Sequence, residues 1–283
     1  METSAVIKRI GLACVVWLVA AGSVAAANLT LSSEPIQGGL VQARTEPGAR
    51  VTLDGKDVTV SKSGLFVFGF GRNAGRTASL VVRLPNGKNE RRQLTVKQRK
   101  YKIQRIDGLP DSKVSPKKRD MKRIGAERDQ LRAARRVMSK GPRFAGGFMW
   151  PVKGRLSGIF GSQRILNGEP RRPHFGVDIA APAGTPIVAA AAGKVVLVHQ
   201  DMFFTGKTVV LEHGLGVATL YIHMSAIAVK KGDDVRRGQT IGRIGMTGRA
   251  TGPHLHWGLT WRGLNLDPAL LVGPMPKMAA KKK

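Results

Sequence analysis

Cysteine is all but missing from this chain: one residue in 283, Cys14. With no pair to bridge, a disulfide framework is excluded, and a closed structural zinc site built on several thiolates goes with it. Aromatic residues are scarce at 5%, which argues against base stacking on aromatic side chains as the main business. Acidic residues are few, 18 Asp+Glu against 47 Lys+Arg, leaving a formal net charge of +29. Three anionic partners fit that excess: nucleic acid, lipid headgroups or a cell-wall polymer. The chain is still 42% hydrophobic, enough apolar material for packed cores. Its length suits about two domains.

A long apolar run occurs at the N-terminus. Lys8 and Arg9 precede the stretch from Ile10 to Ala21, and Ser23-Val24-Ala25-Ala26-Ala27 supplies small residues for cleavage. Residues 1–27 read as a secretory signal peptide. The alternative is an uncleaved anchor, but the 18 residues from Ile10 to Ala27 only reach the lower limit of a span, about 17–25 residues. Gly11-Leu12-Ala13 before Cys14 is a poor lipoprotein cleavage site. A mature chain without cysteine must build any metal site from His and carboxylates. The expected location is periplasmic or secreted, at the cell envelope, which weakens the nucleic-acid reading. Membrane contact would come only through this segment.

Residues 28–103 read as a small β-sandwich-like module. Asp54-Gly55 lies between the β-prone runs Val51-Thr52-Leu53 and Val58-Thr59-Val60, a strong hairpin signal, and Pro85-Asn86-Gly87-Lys88 marks a second. Phe66, Phe68 and Phe70 alternate onto one face. Residues 104–143 carry 13 Lys+Arg and 5 Asp+Glu and read as a basic helical linker. Ser115-Pro116 offers a helix start, and Met121, Ile124, Leu131 and Val137 are its sparse apolar positions. It reads as a solvated connecting helix or, more sharply, a basic arm lying on an anionic polymer. Residues 144–272 are dense in Gly and β-branched residues with short apolar runs between turns, the pattern of an all-β domain. Residues 273–283 form a basic tail ending in Lys281-Lys282-Lys283.

Four of the six histidines fall in three short motifs of the last domain. His174 and Asp178 are four apart in Pro173-His174-Phe175-Gly176-Val177-Asp178, where Pro and Gly oppose a helix. In an extended segment an even spacing puts both side chains on one face. His254 and His256, in Gly252-Pro253-His254-Leu255-His256-Trp257, share a strand face by the same rule. His223 ends the β-prone run Tyr221-Ile222-His223. Three His or carboxylate ligands and an open fourth position make a catalytic zinc site. Each motif alone is a weak signal; an isolated His-x-His is more often a surface pair or a satisfied core pair than a metal site. No His-Glu-x-x-His occurs, so the helical arrangement with a Glu base is excluded.

Together these residues resemble the lysostaphin-like zinc peptidases of family M23, whose pattern is His-x-x-x-Asp, then His in Tyr-x-His-hydrophobic-Ser, then Gly-Pro-His-x-His. The flanking Gly158-Ile159-Phe160-Gly161, Ala183-Gly184-Thr185-Pro186 and Gly238-Gln239-Thr240-Ile241-Gly242 resemble the family too. The likeness runs from about Trp150 to Leu271. It implies an all-β catalytic domain of antiparallel sheets forming a groove, with one Zn²⁺ per chain held by His174, Asp178 and His256. His223 and His254 would be the catalytic pair flanking the attacking water, one as general base and one beside the oxyanion. Which is which stays open. Peptidoglycan is the implied substrate, and the implied activity is a zinc metallo-endopeptidase cutting stem peptides or cross-links. Many members carry Glu after the aromatic residue that follows His-x-His; here Gly258 follows Trp257.

Several residues remain. His199 and His213 read as structural or surface residues, and Arg164 and Asn167, in the loop before His174, as groove candidates of a kind that is usually just solvated. Trp257 and Trp261 read as core or wall. A non-enzymatic peptidoglycan-binding module or hydrolase activator on the same fold is the competing reading, but the complete set His174, Asp178, His223, His254 and His256 opposes it. Anionic envelope polymers are expected as further partners. No nucleic-acid motif is found, so no specific nucleic-acid partner is expected.

Overall fold

A computed structural model of the protein describes residues 29–276. The signal-like segment 1–27, with Cys14, and the closing lysines lie outside the described residues.

Seven strands come first: β1 (Thr30–Leu31), β2 (Leu40–Arg44), β3 (Arg50–Leu53), β4 (Lys56–Val58), β5 (Leu65–Gly69), β6 (Thr77–Arg83) and β7 (Asn89–Thr95). They form a three-stranded sheet, β1-β2-β5, and a four-stranded one, β4-β3-β6-β7. Asp54 and Gly55, both at positive φ, close the β3–β4 hairpin as a two-residue turn demands. Phe66, Phe68 and Phe70 enter the core of this module. The other face of β5 is buried as well. Leu65 and Val67 join the core of the C-terminal domain, and Leu266 lies against Gly69, where a Cβ would come within 2.6 Å of it. The module is therefore packed on its neighbour rather than spaced from it, and Arg99 pairs with Asp267 across the boundary at 2.9 Å.

The basic connecting stretch is likewise no free tether. It opens with β8 (Ile103–Ile106), continues through the single turn α1 (Asp111–Val114) and then α2 (Lys118–Ala134). The helix start expected at Ser115-Pro116 is displaced. Ser115 ends α1 with φ −125° and ψ 83°, because the proline after it disfavours helical geometry at that residue. Of its sparse apolar positions, Met121 is exposed, and Val137 lies beyond the end of α2 and is exposed too. Leu131 and Ala134 pack against Val210, Ala218, Leu220 and Ile222 of the sheet beneath. One turn earlier on that face, buried Glu127 accepts from the Phe203 N–H at 2.7 Å and Arg123 Nε at 2.6 Å, docking α2 on its neighbour.

The C-terminal domain is all-β apart from two 3₁₀ turns. Its strands are β9 (Arg155–Gly158), β10 (Gln163–Leu166), β11 (Glu169–Arg171), β12 (Val177–Ala180), β13 (Pro186–Val188), β14 (Gly193–Met202), β15 (Gly206–Gly214), β16 (Val217–Ile227), β17 (Asp234–Val235), β18 (Thr240–Ile244), β19 (His254–Trp261) and β20 (Leu264–Leu266). The main sheet runs β17-β14-β15-β16-β19-β12-β9. β13 pairs with β18, which also pairs with β16, and β20 pairs with β19. β8 runs parallel to β10, which pairs with β11; the connecting stretch thus contributes a strand beside the groove. Trp257 is fully buried against Trp150, ring centroids 5.7 Å apart, and Trp261 is half-buried against the N-terminal core.

Candidate metal centre

The site is built on the central strands. Asp178 on β12 stands directly opposite His256 on β19, so strand register alone puts carboxylate and imidazole on one face. His174 lies just before β12, and its backbone N–H donates to the Ser162 carbonyl. Three atoms converge: His174 Nε2 to Asp178 Oδ1 3.0 Å, His256 Nδ1 to Asp178 Oδ1 2.8 Å, and His174 Nε2 to His256 Nδ1 2.8 Å. Tetrahedral zinc with bonds of about 2.0–2.1 Å needs such a triangle, with edges of about 3.3 Å. His174 donates its Nδ1–H to the Ile159 carbonyl at 3.1 Å, so its Nε2 presents a lone pair. A single proton on His256 cannot satisfy three atoms this close, whereas a dication can. The donor set, two imidazole nitrogens and one carboxylate oxygen, suits zinc.

The supporting contacts are specific. Asp178 Oδ2 accepts from Arg164 Nη2 at 2.6 Å, which leaves Oδ1 for the triangle. Arg164 therefore lines the groove, as the sequence suggested, and also orients Asp178. At Gly258, where the family resemblance implies Glu in many members, a Cβ would face Leu220 and the Phe175 carbonyl. Gly158 lies so close to Asp178 that a Cβ would collide with its carboxylate, and a Cβ on Gly176 would come within 2.6 Å of His256 Nε2. Asn167 is turned to the connecting stretch, donating to the Leu109 carbonyl at 2.7 Å and accepting from the Leu109 N–H.

Burial would raise the Asp178 carboxyl, but the adjoining His174 and His256 hold it well below the usual carboxylate range. His256 is pushed down to about 4, chiefly by burial.

His223 reaches the site by an irregularity. Its predecessor Ile222 pairs with His256 across β16 and β19, so regular alternation would point His223 away. The β15–β16 register shifts at this point, and His223 has φ +65°, a left-handed conformation that costs a non-glycine residue about 1–3 kcal/mol. Such a bulge re-aims a side chain. The His223 ring lies 4.7 Å from that of His254 and 6.4 Å from that of His256. His223 Nδ1–H donates to the Thr247 carbonyl at 2.7 Å, and His254 Nδ1–H to the Gly252 carbonyl at 2.8 Å. Each therefore keeps Nε2 as a free acceptor. Burial, followed by the neighbouring His254 and His256, lowers His223 to about 3, so it is neutral at neutral pH.

The remaining histidines are elsewhere. His213 is fully buried between the Ala192 carbonyl and the Thr219 hydroxyl, and burial lowers it to about 4. His199 lies within β14, and its Nδ1 accepts from the Asp201 N–H. Sequence reasoning missed Arg135, Arg171, Arg172 and Arg249, which line the cavity beside the triad. Their only signal was the density of arginine itself.

Residues 172–268 match the model of Peptidase family M23. The peptidoglycan DD-endopeptidase ShyA of Vibrio cholerae is 42% identical over 137 residues, 47% of this chain and 32% of that protein. The DD-carboxypeptidase/endopeptidase Mpg of Neisseria meningitidis is 38% identical over 129 residues, 46% of this chain and 30% of that protein. The chain thus matches about a third of the length of these curated relatives. Similarity over nearly the whole described fold comes from a solved Pseudomonas aeruginosa structure assigned to peptidase M23. It is 35% identical, covers 85% of this chain and 96% of the other, and has a TM-score of 0.67. With its His-Asp-His triangle, flanking imidazoles and likeness to that structure over 85% of its length, the chain belongs to peptidase family M23.

Proposed function

We propose that the protein is an exported zinc metallo-endopeptidase that hydrolyses peptide bonds in the stem peptides or cross-links of peptidoglycan. The observation that carries the reading is the triangle of His174 Nε2, Asp178 Oδ1 and His256 Nδ1, with edges of 2.8–3.0 Å, beside two imidazoles that are not part of it. The names of the relatives support the substrate class. The N-terminal segment 1–27 supports export to the periplasm or cell envelope.

His174, Asp178 and His256 would hold the ion. Bound zinc supplies Lewis acidity, polarising a scissile carbonyl and lowering the pKa of water toward about 7. The rest falls to the chain. Ile159 and Arg164 fix the orientation of His174 and Asp178, as partners behind metal ligands do. His223 and His254, each anchored through Nδ1–H to a backbone carbonyl, offer Nε2 as proton acceptors. The one that accepts the proton of the attacking water becomes a donor to the leaving amine. A non-enzymatic wall-binding module would have no use for this second pair, set on a strained backbone at His223.

The test is His223→Ala in the full-length protein. It should keep about one zinc per chain and its melting temperature. Release of new amino groups from purified sacculi should fall about 10²- to 10⁴-fold. His174→Ala and Asp178→Ala should instead lose the metal. Equal amine release by His223→Ala and wild type would overturn the mechanism, and absence of stoichiometric metal after chelator-free purification would overturn the centre. Mass spectrometry of products from defined muropeptides identifies the bond.

A further inference from the structure

The metal centre opens on one side into a cavity of about 430 Å³ that includes His174, His223 and His256 in its wall. Arg135, Arg164, Arg171, Arg172 and Arg249 also line it, and no Asp or Glu does. Arg135 and Arg172, with Phe204 and Thr205, are shared with a second cavity of about 560 Å³ along α2, whose walls add Arg128, Arg132, Arg136 and Arg262 against the single carboxylate of Glu127. Arginine therefore continues from the reacting centre to the helix.

Two of the five already have partners. Arg164 is held by Asp178, and Arg171 reaches Glu169 and the Val114 carbonyl. Among the described residues Arg135, Arg172 and Arg249 form no ion pair. The Arg249 guanidinium donates to the Lys113 carbonyl at 3.3 Å and lies over the Phe204 ring, 4.6 Å from its centroid, with no anion beside it among the described residues. Arg135 is half-buried, and its Nε is fully buried with no hydrogen-bond partner. Like charges crowded in a partly desolvated cavity, two of them (Arg135 and Arg164) with a buried Nε–H that has no partner, are costly without an anion among them. Burial and the adjoining Arg164 and Arg171 charges already push Arg249 down to about 10. Guanidinium forks match planar carboxylates in two-point contacts. Because the cavity is continuous with the reacting centre, the missing anion belongs to the chain being cut.

We propose that Arg135, Arg172 and Arg249 form a carboxylate-binding subsite that seats a free carboxylate of the peptide substrate on the α2 side of the scissile bond. This rests on the peptidase reading and deepens it. Arg135 follows the last residue of α2, outside the stretch that matches the family model. The connecting segment therefore supplies a specificity determinant to a centre carried by another domain.

Binding tests this without turnover. The full-length protein, stripped of metal by chelator, is titrated calorimetrically with a cross-linked stem peptide bearing free carboxylates. The same peptide with its carboxylates amidated is titrated in parallel. Wild type should bind the amidated peptide about 10- to 100-fold more weakly, the worth of a charged hydrogen-bonded pair. Arg135→Gln should lose a similar factor toward the acidic peptide and show no preference between the two. Arg172→Gln, at an exposed position that leaves the core untouched, should behave alike, and Arg135→Lys should restore only part. Wild-type affinities within twofold of each other, no binding of either peptide, or full acid preference in both glutamine variants would overturn the subsite. Amine release by the zinc-loaded enzyme separates the two claims. Equal cleavage of acidic and amidated peptides rejects the subsite and leaves the peptidase, whereas acid-selective binding with no amine release does the reverse.

Discussion

At the scale of single residues, the site depends on what stands behind the ligands. Gly176 sits where a Cβ would be 2.6 Å from His256 Nε2 and from the Trp257 carbonyl. Gly176→Ala must therefore displace a ligand ring whose other nitrogen faces the triangle. Zinc affinity, measured by competition with a chromophoric chelator, should fall about 10- to 100-fold, the usual cost of disturbing a ligand's support. Gly146→Ala, where an added Cβ meets nothing within 4 Å, should leave affinity unchanged. Much of this scale is legible in sequence. His174, Asp178, His254 and His256 lie in short motifs whose even spacing specifies a shared strand face, and the structure brings all four together. The aim of His223 is not legible, because it depends on a register shift between two strands and on φ +65°. Arg135 is not legible either; it reaches the cavity only because a helix docks.

The docking of that helix is an element-scale matter. α2 has few apolar residues, and what holds it is Leu131, Ala134 and the buried Glu127 carboxylate. Glu127 meets the buried Phe203 N–H and the Arg123 guanidinium. Glu127→Ala leaves that N–H without a partner, a loss of about 1–3 kcal/mol. Denaturant unfolding should register it, and amide exchange along α2 should quicken. Glu127→Gln, whose amide oxygen still accepts from Phe203, should lose less. A Glu127→Ala protein as stable as wild type, with unchanged exchange, would show that the apolar contacts suffice. Composition marks the segment as basic and helical; it does not reveal the docking, because a buried glutamate among many exposed charges leaves no periodic apolar signature. The β strands beneath were easier to read, since alternation and Asp-Gly or Gly-rich turns are local signals.

For the whole molecule the dominant quantity is the +29 charge. Residues 28–103 hold 14 Lys+Arg and 5 Asp+Glu, residues 104–143 hold 13 and 5, and residues 144–272 hold 14 and 7. The excess is densest outside the domain that carries the chemistry. Long-range attraction to an anionic wall is the simplest use for such a distribution, and it is sensitive to salt. The Debye length shrinks from about 10 Å at 0.1 M to about 3 Å at 1 M. Raising sodium chloride over that range should release most of the His223→Ala protein from purified sacculi, scored by sedimentation. Retention that is indifferent to salt would assign wall binding to the groove instead of the surface charge.

Strand β5 has a consequence for how this protein can be divided. Its phenylalanines fill one core while Leu65 and Val67 fill the other, so the N-terminal module is no detachable cassette. A chain trimmed to begin at residue 144 would uncover the Leu266 side chain and the flank of Trp261, and would strip Asp267 of Arg99. Fragments of that kind should be adhesive and prone to clump. The smallest well-behaved unit of this chain is the two cores together, bound through a strand that neither can give up.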